Sequence, residues 1–234
     1  DMSQSSTING NVYSNGNITA GNGNQQTIDG EAWAVGTIAS PPITVTQLPP
    51  HPSAPTEPVP DISQIVNDAK TAATTGGTTT CSPKCTIDYV VSIGPQKYVG
   101  DLEITGNVTV TMNGPIWVAK DSLGNGGNFS MSQGGTTLKL NDSFGSNNVA
   151  MAIDNTINLT QGGALQPTNA NPKGYIMLVS ASTSNQAVRI SQSGTTAIFY
   201  TLEGGAELSQ SANVTSLVAK KLTMTQSSTL TYDT

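Results

Sequence analysis

The sequence predicts an all-β fold: a right-handed parallel β-helix, or solenoid, with one short flanking α-helix and a Pro-rich connector. Three observations carry that expectation. The first is a recurring phrase: apolar, any, apolar, Ser/Thr, Gln, then small residues. It reads FSMSQGG at 129–135, INLTQGG at 157–163, VRISQSG at 188–194, AELSQSA at 206–212 and LTMTQSS at 222–228. The opening MSQSSTI at 2–8 nearly duplicates MTQSSTL at 224–230. Repetition on residues that alternate inward and outward marks a repeat architecture.

The second observation is spacing. Gln133, Gln161, Gln192, Gln210 and Gln226 recur at intervals of 28, 31, 18 and 16. Met112 of VTVTMNG is assigned the matching slot one interval before Gln133. Intervals of 16 to 21 fit one coil. The longer ones then hold a coil with a loop, such as 165–175, or an extra strand pair. An antiparallel sandwich would show turn signals about every 8–12 residues instead. The third observation is low charge: 10% of the 234 residues are charged, while 35% are hydrophobic. Coils stack equivalent residues about 4.8 Å apart, where like charges repel, so uncharged Gln and Thr suit amide and hydroxyl ladders. Gln4, Gln133, Gln161, Gln192, Gln210 and Gln226 are the predicted ladder.

Along the chain, residues 1–40 read as N-terminal coils: short apolar beats between Asn/Gly turns such as Asn9-Gly10, Gly16-Asn17 and Asn22-Gly23, which supply positive φ. Residues 41–60 carry eight of the thirteen prolines and read as an extended connector laid over the surface. Residues 61–75 read as a helix, with Asp61 and Gln64 forming a capping box and Ile62, Ile65, Val66 and Ala69 forming one apolar stripe. Residues 76–86 form a Gly/Thr loop with two cysteines. From 87 to 234 the beats alternate as half-buried strands do, for example Val108, Val110, Met112 and Leu230, Tyr232. The whole, 1–234, reads as one composite solenoid domain, with 1–40 stacking on the same solenoid as the rest.

Composition excludes several functions. A net charge of −6 and one arginine, Arg189, speak against nucleic acid and against anionic membrane surfaces. No apolar run reaches the ~18 residues of a membrane span. The chain opens mid-phrase at Asp1-Met2-Ser3-Gln4, which suggests a mature product or a soluble portion of something longer. Cys81 and Cys85 admit three readings: a local disulfide, free thiols, or half of a metal site whose further ligand would be the lone His51. No cofactor is expected.

Parallel β-helices include polysaccharide lyases and hydrolases, which need clustered carboxylates. The nearest pairs here are Asp101 with Glu103 and Glu203 with Glu207, scattered among structural residues, so no catalytic residue is assigned. Trp33 in EAWAVG and Trp117 in PIWVAK sit in similar phrases and are read as core residues, or else loop anchors, at equivalent coil positions, the core reading being preferred.

INGNVYSNGNI, then GEAWAVGTI, a Pro-rich stretch and PVPDISQIVNDAKTAATTGG resemble the β-solenoid-type domain of PilX-type pilus-assembly proteins. The run Gly100-Asp101-Leu102-Glu103-Ile104-Thr105-Gly106-Asn107 continues the resemblance, as do Gly114-Pro115-Ile116-Trp117-Val118, the YIML and AIFY phrases at 175–178 and 197–200, and a closing TLTYD. The resemblance implies an extracellular, non-enzymatic structural role on a pilus or cell-surface filament. Its partners would be pilin subunits or further copies of the chain, added by end-to-end stacking as the near-identical first and last Gln phrases invite. An alternative is a carbohydrate-binding adhesin module that takes surface glycans.

Overall fold

The computed structural model describes residues 1–21, 25–39, 42–47 and 49–231. The Asn22-Gly23 turn and the Tyr232 beat lie outside the described residues. The N-terminal part of the chain supplies β1 (Thr7–Asn9), β2 (Val12–Ser14), β3 (Gln26–Asp29), β4 (Ala32–Ala34), β5 (Ile43–Val45) and β6 (His51–Pro52). Helix α1 (Ser63–Gly76) follows. The remaining strands come in rungs, starting with β7 (Thr78–Ile87) and β8 (Val91–Ile93), then β9 (Gln96–Ile104) and β10 (Thr109–Met112). Next are β11 (Ile116–Ala119), β12 (Phe129–Met131) and β13 (Thr137–Leu140), then β14 (Val149–Ile153), β15 (Ile157–Leu159) and β16 (Ala164–Gln166). The last rungs hold β17 (Ile176–Ser180), β18 (Val188–Ser191), β19 (Gly194–Thr201), β20 (Gly205–Ser209), β21 (Asn213–Val218), β22 (Lys221–Met224) and β23 (Thr229–Thr231).

Every pairing between these strands is parallel, as a solenoid requires. Three faces result. The first stacks the start of β9 with β11, β14, β17 and the later parts of β19 and β21. The second stacks the end of β9 with β12, β15, β18, β20 and β22. The third begins with β8, β10, β13 and β16 and continues through the starts of β19 and β21 into β23. Strand β9 turns from the first face to the second at Gly100, whose φ of 115° and close approach to Cys81 admit no side chain.

Inward residues form apolar columns. Phe129, Ile157, Val188 and Ala206 lie in register on the second face, and each is at most 1% exposed. Burying each large side chain contributes about 1.5–3 kcal/mol, so the columns supply most of the cohesion between rungs. Each Gln interval is a single coil, because β12, β15, β18, β20 and β22 are successive neighbours. The two long intervals are extended by loops, including a 3-10 turn at Asp142–Phe144 and the segment 167–175, rather than by strand pairs. Met112 does not occupy the Gln slot; it is a core residue of the third face, paired with Leu140. The register of β9 and β12 puts Gly106, with φ of 87°, in that slot, followed by Asn107 with φ of 56°.

The third face does not stop at β23. It runs on through β1, β3 and β5, with Thr7 beside Thr229, Ile8 beside Leu230, Ile28 beside Ile8 and Val45 beside Ile28. The segment from β1 to β6 therefore extends the far end of the stack. The Pro-rich segment is not only a connector: β5 and β6 within it form the terminal rung, against β3 and β4.

From that rung the chain must travel back to β7. Residues 53–62 begin the return, held by Asn15, whose Nδ2 donates to the Glu57 carbonyl (2.6 Å) and whose Oδ1 accepts the Glu57 N–H (2.9 Å). The Tyr200 hydroxyl donates to the Pro60 carbonyl. Helix α1 completes the path over the first face. Its 14 residues span about 21 Å, the height of about four rungs. Asp61 accepts the Ser63 N–H at 2.9 Å and starts the helix. Gln64 does not complete a capping box; its side chain donates to Asp68 at 2.7 Å. Ile62, Val66, Ala69 and Ala73 are buried, whereas Ile65, expected in the stripe, is 46% exposed.

Candidate functional site

The Gln phrase builds a corner. Gln4 and Ser5 have φ of 53° and 62°, Gln210 and Ser211 have 53° and 62°, and Gln226 and Ser227 have 54° and 58°. The carbonyl of the preceding Ser or Thr accepts the N–H three residues on: Ser6 to Ser3 (3.3 Å), Ala212 to Ser209 (3.1 Å) and Ser228 to Thr225 (3.2 Å). Positive φ at both central residues with this bond defines a type I′ turn. The small residue that follows is enclosed: Ser6, Ala212 and Ser228 are 0% exposed. That is why the phrase ends in small residues.

The corners stack through backbone. Ser211 N–H donates to the Gln226 carbonyl and Ser227 N–H to the Gln4 carbonyl, both at 2.9 Å. Gln133, Gln161 and Gln192 share the positive φ, at 91°, 56° and 52°. Two of the amide side chains accept from the preceding rung: Gln133 Oε1 from the Gly106 N–H (3.0 Å) and Gln210 Oε1 from the Ser191 hydroxyl (2.6 Å). Nothing in the sequence flagged a left-handed turn here, because Asn and Gly, not Gln and Ser, dominate type I′ turns.

The carboxylates weighed for catalysis each have structural partners. Asp101 Oδ1 accepts from the Asn128 N–H (3.0 Å) and Nδ2 (2.9 Å), and Asn128 passes the ladder on to Thr156. Glu103 pairs with Lys84 and accepts from the Ser132 hydroxyl (3.3 Å). Glu207 faces Arg189 at 3.8 Å, in register across the second face, and Glu203 pairs with Lys220 at 3.4 Å in solvent. Among the described residues, no group of three or more His, Cys, Asp or Glu could hold a metal ion.

Cys81 and Cys85 are joined in a disulfide, with Cα atoms 4.9 Å apart. The bridge spans the irregularity where β7 leaves the first face for the second, between Thr80 and Lys84. His51 lies elsewhere, its ring stacked on Trp33 at 5.6 Å.

Both tryptophans point outward, contrary to the core reading. Trp33 is sandwiched in register between Tyr13 and His51 on the β2–β4–β6 sheet. Trp117 lies under α1, with the Lys97 and Lys70 ammonium groups 3.9 and 4.9 Å from its ring centre. A ring face already stacked or covered by a cation is not free to stack on a sugar. The third face instead presents outward hydroxyls in register: Thr229, Thr7, Thr27 and Thr44.

The ends of the stack differ. Strands β5 and β6 close one end within a stretch that holds Pro41, Pro42, Pro49, Pro50 and Pro52. At the other end, among the described residues, β7 pairs only with β9 and β8 only with β10. Beside them Tyr89 is 58% exposed and Val90 77%. Among the described residues no helix is long and apolar enough to cross a membrane.

A family model matches residues 49–234, from the last Pro-rich rung through α1 to the end; its description is a domain of unknown function, DUF7305. No curated protein and no solved structure gives a match.

Proposed function

The chain belongs to the DUF7305 family, a domain of unknown function, and we propose that it is a non-enzymatic structural protein of a pilus or other cell-surface filament, working outside the cell. The observation that carries this reading is the composite stack itself. Strands β8, β10, β13, β16, β19, β21, β23, β1, β3 and β5 follow one another along the third face, a rod about 45–50 Å long. Its N-terminal strands stack on its last C-terminal rung and its return path is strapped down by α1, features suited to a rigid spacer. The engagement of Asp101, Glu103 and Glu207 in contacts between rungs, and of Glu203 in a solvent-exposed ion pair, supports a non-enzymatic role. The Cys81–Cys85 disulfide supports an oxidising location. The resemblance of the phrase order to PilX-type proteins, read from the sequence alone, is what directs the reading to a pilus.

The test is an antibody against the domain applied to filaments sheared from the source cells. The reading expects the chain in the sheared fraction and on filaments under immunogold labelling. Confinement to the cell interior overturns it.

A glycan-binding module is the second reading, favoured by the in-register threonine hydroxyls of the third face. It expects retention on an insoluble polysaccharide that is lost when Thr7 and Thr27 are both changed to Lys.

A further inference from the structure

We infer that the β7/β8 end is an interface for a second copy of this chain, joined like end to like end, and that assembly through the ends stops at two. The inference deepens the structural-protein reading, and rests on it, by naming the end through which copies meet. Unpaired strand edges recruit further strands unless they are blocked. The β5/β6 end offers little edge: its strands are three and two residues long, Pro42 directly precedes β5, and Pro52 within β6 has no N–H to offer. The near-identical phrases at 2–8 and 224–230 are also engaged, because Met2 bridges Met224 and Thr7 pairs with Thr229 within one chain. Head-to-tail growth would need one competent surface at each end, and among the described residues only the β7/β8 end has one.

That end carries what an interface needs. Strand β7 pairs on one edge only among the described strands, and Pro83 with the irregularity between Thr80 and Lys84 divides that free edge into two regular stretches, 78–80 and 84–87. Tyr89 and Val90 add exposed apolar surface next to the edge. The end rung, residues 77–95, approaches the ~20 residues a side of a standard interface. A two-fold axis brings the same segment of each copy together antiparallel. The charges then agree. Lys84 and Thr86 lie on the exposed side of β7, Lys84 also pairing with Glu103 of its own chain, and Asp88 follows one residue past the strand, exposed as well. An antiparallel pair centred on Thr86 sets Lys84 of each copy opposite Asp88 of the other, which fixes register more than affinity.

The test is mass by sedimentation equilibrium over a wide concentration range on the intact, disulfide-bonded protein. The expected result is a monomer–dimer equilibrium with no larger species. Val90→Lys is expected to raise the dissociation constant about tenfold or more. Asp88→Lys weakens the dimer in a salt-dependent way. Both sites are at the surface, so unchanged melting curves certify the fold. A wild-type monomer at the highest attainable concentration overturns the inference. So does a series of species beyond the dimer, or a dimer indifferent to Val90→Lys. The two readings fail separately: a dimer absent from filaments sinks the structural role alone, and a monomer present in filaments sinks the end-to-end pairing alone.

Discussion

Met2 and Met224 form a bridge between parallel segments, although they lie near opposite ends of the chain. Each is the last inward apolar residue before a Gln corner, and the two corners are tied by the Ser227 N–H to the Gln4 carbonyl. The near-duplication of the two phrases is therefore a stacking requirement: identical rungs lie flat on one another.

Removing a side chain at that seam should be costly. Ile8 is 3% exposed, between Leu230 and Ile28. Ile8→Ala is expected to destabilise by about 2–5 kcal/mol in chemical denaturation, as core truncations do. A cost under about 0.5 kcal/mol, the range of ordinary surface changes, would place Ile8 outside the core.

The corner makes the opposite prediction. Gln226 holds φ of 54°, where a side chain costs about 1–2 kcal/mol and glycine nothing. Gln226→Gly should raise the melting temperature, and Gln226→Val should lower it. If both lower it equally, the amide side chain, not the backbone, is what the corner uses.

The sequence and the structure agree where periodicity carries the information. Alternating apolar residues such as Val188 and Ile190 were legible as inward columns, and the spacing of Gln133 to Gln226 was legible as coils. The type I′ corners were not, because a turn built from Gln and Ser departs from the usual Asn-Gly chemistry. The outward placement of Trp117 was not legible either, since only the path of α1 over the first face makes an outward apolar residue half-buried. The role of β5 and β6 was hidden by prolines, which mark a connector and an edge strand alike.

The helix strap depends on Val66, packed with Ile62 against Ala152, Val179 and Tyr200. Val66→Asp should leave the rungs folded and release α1. Limited proteolysis is expected to cut within residues 53–76 many times faster than in the parent chain, with strand content by circular dichroism retained.

The disulfide closes a short segment, so its contribution is modest. Breaking it by Cys81→Ser with Cys85→Ser should cost about 2 kcal/mol on the loop-entropy estimate, without global unfolding. Denaturant midpoints with and without reductant check this, and the double variant should be insensitive to reductant.

Asp142 gives a pH dependence of known sign. The Lys139 ammonium (2.9 Å) first, then the Asn169 N–H (2.8 Å), hold its carboxyl below the ordinary value of 3.8. A lowered folded value means that the contribution is fully present above 3.8 and is lost as the pH falls through the lowered value. Hydrogen exchange at Asn169, corrected for intrinsic rates, should accelerate across that acid window. Asp142→Asn should exchange faster at neutral pH and show no acid step there.

The most direct test of the composite stack is an engineered cross-link between Thr7→Cys and Thr229→Cys. Register places these residues side by side, within the ~4.4–6.8 Å Cα range of a disulfide. The predicted result is a high-yield bond within one chain, seen by non-reducing peptide mapping, while Cys81 and Cys85 stay paired. A Thr44→Cys and Thr229→Cys pair, three rungs apart, should not close. Failure of the first pair, closure only between chains, or equal closure of both pairs would contradict the stacking of β1 to β6 on the last rung.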